Sequence, residues 1–129
     1  MKKNRLFLIF SHKLTEDQQN DARETFGVDE FVSLPKSLQQ LWSNIAPEEE
    51  NIYKYLSPLW EYMAKQINSS DVVLIQGDFG ATYLAIKLAK ELEALPIYAT
   101  TKRVVKEEIE NNEVIKTSIF KHVRYRIYE

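Results

Sequence analysis

The segment Asp71–Tyr83, DVVLIQGDFGATY, is the feature that most constrains the fold of this chain. Val72, Val73, Leu74 and Ile75 form an unbroken apolar run rich in β-branched residues, as in a strand buried on both faces of a parallel sheet. Gln76, Gly77, Asp78, Phe79 and Gly80 then break the run, and Leu84, Ala85, Leu88, Leu92 and Leu95 recur at helical spacing. The order is strand, glycine turn, helix. A helix start offers unpaired N–H groups and the positive end of the macrodipole, and glycine lets a ligand approach the main chain, so a phosphate fits there. The same residues also suit a plain tight turn, with Asp78 or Thr82 capping the helix. Neither GxGxxG nor GxxxxGK(S/T) is present, which argues against classical dinucleotide dehydrogenases and P-loop NTPases.

A chain of 129 residues fits one domain with a real core. With no cysteine, it has no disulfide framework, thiolate nucleophile or thiolate metal site, and it suits a reducing cytoplasm. Leu6–Phe10 is too short an apolar run for a signal segment or a membrane span, so a soluble cytoplasmic protein is expected. A net charge of −2 argues against a long nucleic acid as partner. Residues 102–129 nevertheless hold seven Lys/Arg against five Glu, enough to favour a small anion locally; a solvated hairpin face would read the same way.

Leu6–Phe10 reads as a central first strand, with Ser11 and His12 at its carboxyl end. Thr15 and Gln18 form a capping box for a helix from Glu16 to Phe26, stopped by Gly27. A second strand is expected at Phe31–Leu34, then a helix over Ser37–Ile45 with Leu38, Leu41, Trp42 and Ile45 on one face. Pro47 and Glu48–Glu50 read as the start of a further helix, striped by Leu56, Leu59, Trp60, Met63 and Ile67 and kinked or restarted at Pro58. Ile97–Thr100 reads as a short strand ending in Thr100, Thr101, Lys102 and Arg103. Beyond it come a run to Glu110, a turn at Asn111–Asn112, a return over Val114–Ile119, and a terminal strand with His122, Arg124 and Arg126 on one side against Val123, Tyr125 and Ile127.

This order predicts an α/β fold: a Rossmann-like, open, mostly parallel sheet flanked by helices, with a carboxyl-terminal antiparallel β-hairpin extension. Ligands bind such sheets outside the carboxyl ends of the strands. Those ends carry Ser11-His12, Gln76-Gly77-Asp78 and Thr100 to Arg103. Two histidines far apart in sequence, without an HxH, HxxxH or DxD cluster, give no reason to expect a metal or other cofactor. A Ser-His-Asp hydrolase is disfavoured because Ser11 and His12 are adjacent and no GxSxG elbow exists. Metal-free phosphodiester chemistry fits better, since a ribose 2′-hydroxyl held in line with its neighbouring phosphorus is a built-in nucleophile. His12 suits the proton transfer, histidine titrating near neutrality, although a loop histidine can equally serve a local hydrogen bond.

LFLIFSHKLTEDQ, PKSLQQLWSNI, VVLIQGDFGATYLAI, ATTKRVVKE and KTSIFKHVRYRIY together resemble the small stand-alone CRISPR-associated ring nucleases of type III systems. The FSH loop, the GDFGATY turn and the FKHVRYR strand carry the resemblance, which covers nearly the whole chain. Those proteins are similar to the CRISPR-associated Rossmann fold (CARF) domain and act as homodimers. The resemblance implies a cyclic oligoadenylate substrate, foremost cyclic tetra-adenylate, cut to linear products with 2′,3′-cyclic phosphate ends so that the antiviral signal is switched off. It implies ligand contacts at Ser11, His12, Gly77, Asp78, Gly80 and Thr82, completed by Thr101, Lys102 and Arg103, with Gln76, Phe79 and Thr100 in the same clusters. His12, Lys102 and Arg103 are the candidates for chemistry and charge stabilisation. Two other readings fit the residues: a non-catalytic binder of the same messenger, and an unrelated Rossmann-like nucleotide-binding protein.

Overall fold

The computed structural model describes residues 4–129. Strands β1 (Arg5–Ile9), β2 (Glu30–Ser33), β3 (Val72–Ile75), β4 (Leu95–Glu110) and β5 (Glu113–Ile127) form one sheet in the order β2-β1-β3-β4-β5. The first four are parallel, and β5 returns antiparallel to β4. Helix α1 (Glu16–Phe26) covers one face; α2 (Lys36–Ser43), α3 (Ile52–Tyr55), α4 (Ser57–Gln66) and α5 (Phe79–Glu91) cover the other. Strand periodicity sorts the core accordingly. Phe7, Ile9, Val73 and Ile75 pack with Trp42, Leu59 and Met63, while Leu6, Leu8, Val72 and Leu74 face Ala22 of α1.

Several expected local devices are present. Thr15 accepts from the Gln18 N–H at 3.2 Å while Gln18 returns a bond to the Thr15 N–H at 2.9 Å, closing the capping box. Gly27 ends α1 in the left-handed region at φ 64°, where glycine carries no steric cost. Pro58 sits in the first turn of α4, so the helix restarts there after a break at Leu56.

Other expectations are corrected. Glu48–Glu50 are not in a helix; α3 starts only after Asn51, whose side chain accepts from the Lys54 N–H. The second strand is Glu30–Ser33, one residue earlier than expected, and Leu95 belongs to β4 rather than to the helix before it. The larger correction concerns the carboxyl-terminal third. The strand expected at Ile97–Thr100 runs on to Glu110, because β5 continues the ladder after β3 has ended. Thr100–Arg103 therefore lie within a strand, not at its end. The return and terminal strands are one element, and Asn111 and Asn112, at φ 53° and 63°, make the two-residue turn.

A bulge between Thr100 and Thr101 shifts the register, so that Thr100 faces Arg124 while Thr101 faces His122. The extra residue turns His122 onto the face of Tyr125 and away from Arg124 and Arg126, which corrects the expected alternation. His122 Nε2 meets Asp21 Oδ2 at 2.7 Å, and the Tyr125 hydroxyl donates to Gln18 O at 2.9 Å, so both residues tie β5 to α1. Past this anchor β4 and β5 leave the body as a two-stranded arm, exposed at every position from Val105 to Lys121.

Candidate functional site

The crossover from β1 to β2 uses α1 on one face, and the chain leaving β3 turns into α5 on the other, so the connections at the paired carboxyl ends of β1 and β3 part to opposite faces of the sheet. This is the position where open parallel sheets bind ligands. The Gln76 N–H donates to Ile9 O at 3.1 Å, and Gln76 Oε1 accepts from the Ala99 N–H at 2.8 Å. One glutamine thus fastens the ends of β1, β3 and β4 together. Gln76 O also accepts from Trp42 Nε1 at 3.1 Å, so this residue shapes the edge more than it offers groups to a ligand.

On the α1 side, Ser11, His12 and Lys13 leave β1 at the rim of a cleft of about 540 Å³. Leu8, Phe31 and Leu34 form its apolar wall, and Gln19, Ser33 and Gln39 add polar groups. Gln39 Nε2 donates to Phe10 O at 2.8 Å, and Ser43 Oγ donates to Ser11 Oγ at 3.1 Å, so α2 holds the loop from the other side. The His12 ring stands edge-on to Phe10, centroids 5.4 Å apart.

On the opposite face, Asp78 caps α5 by accepting from the Ala81 N–H at 3.0 Å, which settles the capping role on Asp78 rather than Thr82. Thr82 Oγ1 is buried without a hydrogen-bond partner. Gly77 has a packing reason: a Cβ there would lie 2.7 Å from Trp42 Nε1. A Cβ at Gly80 would lie at an ordinary 3.5 Å from Asp78 Oδ2, and Phe79 beside it is 95% exposed, with Tyr83 65% exposed one turn on. Two aromatic rings at a helix start, free of core packing, offer a base a stacking platform.

The third cluster is divided. Thr100 Oγ1 donates to Arg124 O at 2.9 Å, fixing the bulge. Thr101 and Arg103 share the α1 face with His122, and strand alternation puts Lys102 on the α5 face, with Phe79 and Gly80. Arg103 donates from Nε and Nη2 to Ser118 Oγ at 3.0 and 2.9 Å. Lys102 forms no ion pair among the described residues. The two cations expected to act together therefore point to opposite faces.

Sequence reasoning missed Gln39, Trp42, Ser43 and Tyr83 as parts of this edge. Trp42 was visible only as a member of a helical stripe, which does not distinguish a residue at the strand ends from one deeper in the core, and Tyr83 only as the last residue of the GDFGATY turn. The pair of the half-buried Asp21 and the buried His122 side chain was missed because the bulge that creates it has no motif. Burial would raise the Asp21 carboxyl, but hydrogen bonds from Thr25, at 2.6 Å, and His122 outweigh it and hold the group below its ordinary value. Among the described residues no group of three His, Asp or Glu side chains comes together to hold a metal ion, and no helix is long and apolar enough to cross a membrane.

Residues 4–126 match the family described as Uncharacterized protein MJ1673 family. The chain is 51% identical over 124 residues to Uncharacterized protein MJ1673 of Methanocaldococcus jannaschii, an alignment covering 96% of each chain. No solved structure matches it.

Proposed function

The chain belongs to the uncharacterized MJ1673 family, and we propose that it is a cytoplasmic, homodimeric ring nuclease with a CARF-like Rossmann fold that opens cyclic tetra-adenylate. The observation that carries this reading is the carboxyl edge of the sheet. There the exposed Phe79 and Tyr83, the amino end of α5 and the unpaired Lys102 share one face, and His12 stands at the exit of the adjacent strand. Adenine rings stack on the aromatic side chains, backbone amides and Lys102 gather the phosphates, and Ser11 and Thr101 offer hydroxyl contacts. A ring of identical nucleotides presents equivalent faces, so two copies around a two-fold axis form a natural receptor.

The reaction needs no metal in this scheme. A ribose 2′-oxygen attacks the neighbouring phosphorus in line, the bond from phosphorus to the 5′-oxygen breaks, and a 2′,3′-cyclic phosphate forms. His12 takes the proton from the 2′-hydroxyl, and the departing 5′-oxygen gains one from solvent. Lys102 offsets charge on the phosphoryl oxygens; Arg103, engaged by Ser118, contributes less.

Incubation with cyclic tetra-adenylate in chelator, with substoichiometric protein and chromatographic separation of products, tests the proposal. Multiple turnovers to linear adenylates with cyclic phosphate ends are expected, and His12→Ala is expected to lose about 10²–10⁴-fold in rate with binding retained. A strict requirement for Mg²⁺ or Mn²⁺ would sink the metal-free scheme. One observation favours a second reading, a binder that holds the ring intact: His12 has no hydrogen-bond partner among the described residues to orient it as a base, and the oriented histidine, His122, is buried away from the edge. Retention of the intact ring with no cleavage would establish that reading.

A further inference from the structure

The arm formed by β4 and β5 beyond Thr101 and His122 is built unlike a surface hairpin. Ile109 is 80% exposed and Phe120 70%, and Val105, Val114, Ile115 and Ile119 are exposed with them. A two-stranded ribbon is marginal on its own in water and gains stability when a third strand joins it. The outer edge of β5 is long and thinly protected over Glu113–Lys121: no proline, no bulge and no covering element, and only one acid and two lysines among nine residues.

Charge along the arm is polarised. The tip half holds Glu107, Glu108, Glu110 and Glu113 with a single cation, Lys116, which pairs with Glu107, and the root half holds Lys102, Arg103, Lys106, Lys121 and Arg124. A second arm lying antiparallel sets acidic tip against basic root twice. We propose that two copies of this chain pair along their β5 edges, antiparallel, with the two-fold axis at Thr117, to make a continuous four-stranded arm. This register puts Glu113 opposite Lys121, Val114 opposite Phe120 and Ile115 opposite Ile119, each pair occurring twice by symmetry. Apolar side chains then meet on both faces of the ribbon, and the open row of backbone donors and acceptors is satisfied.

The edge of β4 is a poorer choice. A two-fold axis at Val105 sets Val104 against Lys106, and its best ion-pair candidates are engaged within the ribbon: Arg103 with Ser118, and Glu107 with Lys116 at 3.6 Å. The inference deepens the reading above by naming the interface of its homodimer, and it rests on that reading for the pairing of two copies.

The natural chain has no cysteine, so a single introduced thiol reports the axis directly. Opposite residues of antiparallel strands lie about 4.5–5.5 Å apart at Cα, within disulfide reach. Under mild oxidation Thr117→Cys is expected to cross-link into a covalent dimer, and Glu108→Cys, on the far strand, is not. By sedimentation, the unmodified chain is expected to be a dimer, Glu113→Lys to weaken association at least about tenfold, and the double change Glu113→Lys with Lys121→Glu to restore it. A monomeric unmodified chain, or a dimer in which Thr117→Cys does not cross-link, would overturn the proposal. Turnover of cyclic tetra-adenylate, measured on the unmodified chain in parallel, separates the two ideas. Cleavage without the Thr117 cross-link removes only the arm pairing, whereas the cross-link without binding or cleavage removes only the ring chemistry.

Discussion

The body and the arm use the same strand alphabet with opposite results. In β1 and β3 the apolar residues Leu6, Phe7, Ile9, Val73, Leu74 and Ile75 are sealed between α1 and the helices of the other face, all at 0–1% exposure. In the arm, Val105, Ile109, Val114, Ile119 and Phe120 are residues of the same strand-forming types and meet no second layer. Burial stabilises only where a facing element excludes water. The contrast teaches that β-branched and aromatic residues report a strand's capacity to be covered, and that what covers it must be sought separately.

The sharpest way to break this comparison is to remove a side chain from each region. Phe7→Ala opens a fully enclosed cavity and is expected to cost about 3–5 kcal/mol, read as a lowered denaturant midpoint. Ile109→Ala at the tip is expected to stay within about 0.5 kcal/mol. Equal losses at the two positions would mean that the arm is packed as the body is.

Gly77→Ala probes the one place where the body approaches its own strand ends most closely. The added methyl group would meet the Trp42 ring at 2.7–2.8 Å, so an overpacking cost of about 1–3 kcal/mol is expected, together with a changed Trp42 fluorescence. If stability holds, Trp42 can move aside and the edge is softer than its hydrogen bond to Gln76 implies. A smaller effect is expected at Asp78→Ala, where the cap on α5 is lost at about 1 kcal/mol and Asp78→Asn restores most of it. Rescue by asparagine would mark the carboxylate as a cap; loss of ring binding in both variants, with stability restored in the asparagine variant, would mark its charge as a ligand contact.

The body was legible in the sequence because its signals are local. The capping box at Thr15, the stop at Gly27 and the apolar run at Val72–Ile75 each announce an element within a few residues. The strand-turn-helix unit at Gln76–Gly80 could be located as an edge, but the packing of Gly77 against Trp42 joins residues 35 positions apart and leaves no spacing to read. The arm was half legible. Asn111–Asn112 marks its turn, yet the place where β4 ends depends on how far β5 can follow it, a pairing property absent from either strand alone. The bulge at Thr100/Thr101 is of the same kind, and it alone decides that His122 faces α1.

That buried histidine is where body and arm are joined, and acidity tests the joint. The Asp21 carboxyl is held below its ordinary value of 3.8 by the Thr25 and His122 hydrogen bonds against the cost of its burial. A carboxylate with a depressed folded-state pKa contributes stability that is fully present above the unfolded value and is lost as pH falls through the folded one. The stability difference between the unmodified chain and Asp21→Asn is therefore expected to shrink as pH falls below about 4. Hydrogen exchange in β5 sharpens the assignment. Protection near His122 is expected to fall with that difference, while amides of β1 and β3 keep theirs. A pH-independent difference would mean that Asp21 holds the arm by shape alone, and that its charge plays no part in fastening the exposed ribbon to the core.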